Sequence, residues 1–130
     1  MSPGSFTHRK LTEVTDSAPK FGMGDSQEAR FANNDLEVKQ TGVSHHRLHP
    51  GKRHGFAHRH DEAEEVYVVL AGSGRVKLDD EIVEIEALDA IRVSPTVTRQ
   101  FEAGPEGMEW IAFGALHEGD GELINDWWTD

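Results

Sequence analysis

The stretch His58-Arg59-His60-Asp61-Glu62-Ala63-Glu64-Glu65-Val66-Tyr67-Val68-Val69-Leu70-Ala71-Gly72 carries two patterns at once. Imidazoles at i and i+2 on an extended chain point to the same side. Glu65 follows at the head of an apolar run, and a carboxylate arriving there completes three sides of a pocket for a divalent metal. In the run itself Val66, Val68 and Leu70 alternate with Tyr67 and Val69, the pattern of a strand buried on both faces. Glu64, of opposite parity to Glu65, is expected to point outward.

Outward from this stretch, the signals from Val38 onward are those of β-structure, short apolar-rich runs separated by turn residues at intervals of about ten. The expected strands are Gly42 to His49, Glu65 to Ala71, Arg75 to Leu78, Glu81 to Glu86, Ala90 to Val93, Thr98 to Glu102 and Met108 to Phe113. Pro50-Gly51, Gly72-Ser73-Gly74, Asp79-Asp80, Ser94-Pro95 and Gly104-Pro105-Glu106-Gly107 separate them, and Gly72-Ser73-Gly74 reads as a hairpin turn. Short antiparallel strands with little helix must close or stack to hide their edges, so a small double-sheet barrel is expected. Ahead of it, residues 1–35 read as an irregular arm whose Phe6, Leu11, Val14 and Phe21 cover a core edge. Asp25 followed by Glu28 resembles a capping box and leaves room for one short helix near Ser26 to Asn33. The barrel then spans 36–116 and a tail 117–130.

The chain has 130 residues, enough for one hydrophobic core, and no cysteine. That suits a reducing compartment, and no secretory pattern is read near Met1, so the expected location is cytoplasmic. Val66 to Ala71, the longest apolar run, is too short to span a bilayer. A net charge of −11 disfavours nucleic acid and anionic lipid. The expected partner is a small-molecule ligand, with no nucleic acid and no membrane.

The run from His58 to Gly72 resembles the first signature of the cupin superfamily, in which two histidines, a glutamate and a closing glycine recur at this spacing. Leu88-Asp89-Ala90-Ile91-Arg92-Val93-Ser94-Pro95, continued through Arg99 and Phe101, resembles the second. The resemblance covers roughly residues 36 to 115. It implies an all-β fold, a double-stranded β-helix or jelly-roll barrel, of the small bacterial kind with unassigned function, and a homodimer. It also implies a metal held by the two histidines and glutamate of the first signature with one histidine of the second. Here Leu88 stands where the second signature has glycine, Thr96 or Val97 where it has another, and Arg99 at the fourth-ligand position. Gly51 lies one residue further from His58 than the pattern asks.

Arg99 shares strand parity with Phe101, which would aim it inward. A guanidinium offers only donors and cannot ligate a cation. Three arrangements follow. Arg99 turns away while His58, His60 and Glu65 hold a metal with an open position; or it pairs with Glu65 in a metal-free pocket; or it faces an anionic substrate bound to the metal. Arg99, Tyr67 and Phe101 are the expected pocket residues. Iron, manganese, nickel and zinc all suit two imidazoles and a carboxylate.

His45, His46, His49 and His54 crowd the segment upstream. His45 and His49 share a strand face with Arg47, and His46 takes the other. Any of them could replace the imidazole missing at Arg99, while the simpler reading is a solvated strand and loop. Tyr67, Phe101, Trp110 and Phe113 are expected to line or back the barrel, and Trp127-Trp128 to pack on its mouth or on another subunit. Without cysteine, a nucleophile elbow or a phosphate-cradling loop, nucleophilic and phosphoryl chemistry find no support. Two functional classes remain. One is a metal-dependent oxygenase, isomerase or lyase acting on a small molecule; the other is a non-catalytic, metal-free binding or sensing module.

Overall fold

The computed structural model describes residues 4–117 and 119–130. Among these residues eight strands form one curled antiparallel sheet: β1 (Gln27–Phe31), β2 (Thr41–Leu48), β3 (Ala57–His60), β4 (Glu65–Leu78), β5 (Glu81–Glu86), β6 (Ala90–Val93), β7 (Arg99–Ala115) and β8 (Gly121–Ile124). The frame is the long ribbon of β4 on β7, which runs from Glu65 opposite Gly114 to Leu78 opposite Arg99. On its other side β7 pairs with β2 along its second half and meets β3 at His58 opposite Arg99. β5 and β6 pair with β4, and β8 closes on β3. The result is the all-β jelly-roll barrel, with one short helix, α1 (Asn33–Leu36). No described helix is long and apolar enough to cross a membrane.

Two glycine-rich segments that read as turns prove to be a shared bend. β4 continues through Gly72-Ser73-Gly74, with register shifts against β7, and β7 continues through Gly104 to Gly107. The strands cross so closely there that a Cβ on Gly72 would lie 2.1 Å from the Gly107 carbonyl oxygen, and Gly72 has φ +76°. Only glycine fits such a crossing. A true reversal occurs at Asp79-Asp80, where Leu78 pairs with Glu81.

The helix expected over Ser26 to Asn33 is instead mostly β1. Gln27 and Ala29 are buried in alternation, as in a strand, and the segment bonds to β2 from Gln27↔Leu48 to Phe31↔Ser44. Glu28, read as half of a capping box, pairs with Arg30 and Arg47. The arm also covers less core than expected: Val14 is buried, whereas Phe6 is 94% exposed and Phe21 largely exposed. Nor is β4 buried on both faces. Tyr67 and Val69 enter the core with Val76, Phe101 and Trp110, while Leu70 on the opposite face is exposed. Phe113 shares that outward face and is exposed too, so it does not line the barrel.

The tail is held by cations on rings. The Arg53 guanidinium lies 4.0 Å from the centre of the buried Trp128 ring, and Lys77 Nζ lies 4.5 Å from that of Trp127. Arg53 and Arg75 also share the Glu102 carboxylate.

Candidate metal centre and pocket

β3 and β4 bring His58, His60 and Glu65 together, with candidate ligand atoms all within 4.8 Å of one another. Strand parity puts both imidazoles on the inner face, and their rings stand nearly perpendicular at 5.3 Å between centroids. His58 Nε2 lies 3.2 Å and His60 Nε2 3.1 Å from Glu65 Oε1. Ligands held ~2.1 Å from one ion stand about 3.0–3.4 Å apart, so these separations suit a common metal. Glu64 points outward and pairs with Arg92.

The same carboxylate oxygen is gripped from behind. Arg99 Nη2 donates to Glu65 Oε1 at 2.8 Å and the Tyr67 hydroxyl donates at 2.5 Å. Arg99 Nε donates to the Tyr67 oxygen, and its Nη1 to the carbonyls of Pro95 and Val97. The guanidinium is fully buried, and it sits outside the residues that line the cavity. Of the arrangements open from the sequence, the structure shows the Arg99–Glu65 pair.

These contacts set the protonation states. Burial would raise the Glu65 carboxyl, but hydrogen bonds from His58, His60 and Tyr67 outweigh it and hold the group well below the usual carboxylate range. Burial lowers His58, opposed by its bond to Glu65, and so favours the neutral ring that a metal requires. Tyr67 is pushed up by burial and by the Glu65 charge, which keeps its proton in place.

A cavity of about 240 Å³ opens from the cluster, and His58, His60, Glu65, Tyr67 and Phe101 lie on its wall. His46 and His54 line it as well. This corrects the reading of the upstream histidines as solvated, since His45, His46 and His54 are all buried. His45 faces the other way and meets Glu109, His49 bonds the Asp25 carbonyl away from this cavity, and His117 is exposed near Glu62. A second cavity of about 220 Å³ shares His60 and Glu65.

Asp120 is a site residue that the sequence does not announce. Its Oδ1 accepts the backbone N–H groups of Asp61 and Glu62, and Oδ2 that of Ala63. Oδ2 also lies 3.3 Å from His60 Nδ1, so the residue leading into β8 anchors the β3–β4 loop and backs one imidazole.

The fold and this cluster define a small jelly-roll barrel with a His-His-Glu pocket. The sequence profile of the cupin domain family matches residues 44–114, and the chain belongs to that family. A cupin protein from Bacteroides fragilis superposes with a TM-score of 0.71 at 20% identity, covering 90% of this chain and 89% of its own. Lactobacillus farciminis oxalate decarboxylase in a formate complex gives 0.76 at 18% identity over 98% of this chain but 38% of that one. The chain therefore spans well under half of that enzyme. A variant of Streptomyces PAC13 with uridine gives 0.71 at 17% identity, covering 91% and 90%. No curated protein matches the sequence.

Proposed function

We propose that this cupin binds a divalent metal through His58, His60 and Glu65 and acts on a small molecule held in the adjoining cavity. The carrying observation is the convergence of three donors on one point, with separations of 3.1 and 3.2 Å from both imidazoles to the carboxylate. The donor set fits a borderline ion such as iron, manganese, nickel or zinc, and leaves coordination positions open. When bound, the metal supplies Lewis-acid or redox chemistry of the oxygenase, isomerase or lyase type. The chain's own residues do the rest. Arg99 and Tyr67 fix the Glu65 carboxylate, Asp120 backs His60, and the aromatic wall formed by Phe101 and Trp110 keeps water from the far side.

A second reading, a metal-free binding or sensing pocket, is favoured by one observation: Arg99 already neutralises Glu65. Metal content after purification without an affinity tag separates the two. The metal reading expects bound metal in the wild type and its loss in His58→Ala. Equal content in both proteins rejects it.

A further inference from the structure

The cavity beside His58, His60 and Glu65 has an apolar mouth. Phe21, Phe31 and Leu123 line it while remaining 53%, 51% and 55% exposed, and half-buried Phe56 meets Phe21 edge-on at 6.2 Å between ring centres. The four come from separate elements: Phe21 from the 3-10 turn Ala18–Phe21, Phe31 from the end of β1, Phe56 from the residue before β3, and Leu123 from β8. Apolar side chains exposed one at a time are ordinary on a protein surface, but four around one opening leave a continuous apolar rim in water.

The rim reaches the donor cluster. Leu123 is the cross-strand partner of His58 in the β3–β8 ladder, and both side chains line the cavity, so they stand side by side on its wall. Two residues along the same ladder His60 is opposite Gly121, where a Cβ would lie 3.7 Å from the imidazole Cε1, and the glycine keeps that side of the ring open. A head group at Glu65 thus has its remaining atoms directed past Leu123 toward the mouth, and about 240 Å³ holds such a head with a chain of a few carbons. Charge selects the head. Glu65 and Arg99 cancel at 2.8 Å, and ligation requires neutral imidazoles, so a divalent ion bound there keeps an excess of positive charge even with Asp120 behind His60 counted. In a partly enclosed cavity that excess favours a singly charged anionic oxygen donor.

We propose, resting on the metal reading above for the head group alone, that the pocket takes a small amphiphilic monocarboxylic acid, its carboxylate toward the His58–His60–Glu65 cluster and its apolar tail against Leu123, Phe31 and Phe21. Burying that tail removes apolar surface of the guest and of the rim from water together.

Calorimetry with acetate, butyrate and hexanoate tests both ends of the guest on the full chain, once loaded with zinc and once treated with chelator. In the loaded protein each pair of added methylenes should tighten binding about 10-fold. Chelation should weaken all three acids by at least about 10-fold. Phe31→Ser and Leu123→Ser, at exposed positions, should each weaken hexanoate about 5-fold and leave acetate and zinc affinity unchanged. Ile82→Ser, on β5 and outside the cavity, should alter none of these. Affinity independent of chain length, rim variants that match Ile82→Ser, or acids bound equally with and without zinc by a protein that holds zinc would overturn the proposal. So would sedimentation in which the rim variants dissociate a wild-type dimer without affecting hexanoate, since the rim then belongs to a second copy of the chain. Failure of the metal reading is distinct: no zinc would be retained, and 1-hexanol against ethanol then tests the tail site on the chelator-treated protein. A preference for hexanol that both rim variants lose upholds that site, and equal binding of the two alcohols rejects it.

Discussion

Arg99 Nη2 lies 2.8 Å from Glu65 Oε1 in the barrel interior, with no part of the arginine side chain open to solvent. Carbonyl oxygens of Pro95 and Val97 hold the other side of the guanidinium. The arginine is thus satisfied inside the wall and need not enter the cavity. At the position where the second signature places a ligand, this chain carries a clamp on Glu65 of the first.

Loss of that clamp should have opposite effects on stability and on metal affinity. Arg99→Met removes the permanently charged partner of a buried carboxylate and leaves it Tyr67, His58 and His60, which costs about 3–5 kcal/mol. It also returns the full Glu65 charge to a bound cation, raising divalent-metal affinity on the order of 10- to 100-fold. Arg99→His should raise it further by offering an imidazole. Urea unfolding and zinc calorimetry on the same preparations check both effects. Reduced stability with unchanged zinc affinity would show that Arg99 serves the fold alone.

Asp120 should matter to metal binding from outside the ligand set. Carboxylates behind ligating histidines fix the ring orientation, and their loss typically costs about 10- to 100-fold in affinity. Asp120→Asn retains an oxygen for the backbone groups of Asp61 and Glu62 while removing the charge beside His60 and the acceptor for the Ala63 N–H. The expected result is weaker zinc binding and an altered His60 tautomer by nitrogen NMR, with the His58 ring unaffected. A uniform change at both histidines would point to loosening of the loop instead.

The bend in the β4–β7 ribbon should tolerate no side chain at Gly72. An added Cβ would meet the Gly107 carbonyl oxygen at 2.1 Å in a backbone with φ +76°. Both strain and clash act in the folded state, so Gly72→Ala is expected to lose at least ~3 kcal/mol. Gly51→Ala, with positive φ but open space around it, should lose only about 1 kcal/mol. Comparable urea midpoints for the two variants would contradict the close crossing.

What could be read in the sequence was what lies close together along it. β5 and β6 match their expected bounds because alternation and short turns are local signals. His58, His60 and Glu65 were visible for the same reason. β1 was misread because Asp25 and Glu28 imitate a helix start, while the ladder that makes it a strand comes from β2, beyond α1. Glycine-rich bends and reversals share a composition, and only the opposite strand tells them apart. The inward parity of His46 could have been followed from Ser44 and Leu48 on the same face. His54 and Asp120 gave no such sign, since loop geometry and the return of β8 to β3 bring them to the site.

The buried imidazoles should also make stability fall with acid before the loss from Glu65 sets in. His46, lowered to about 3, and His54, well below the ordinary value of 6.5, stay neutral in the folded protein. The unfolded chain protonates both, so their contribution is fully present above the unfolded value and shrinks as pH falls below it. His46 should withdraw roughly 2 kcal/mol between pH 7 and pH 5, and His54 acts in the same direction. His58 acts in the same direction, burial being its main cause. Glu65, also lowered when folded, adds its loss only below its ordinary value of 4.5. Urea midpoints at pH 7, 6 and 5 should therefore decline steadily, and the paired His46→Phe and His54→Phe changes should remove most of that slope. A flat wild-type profile over this interval would mean that the two rings are not held uncharged inside the barrel.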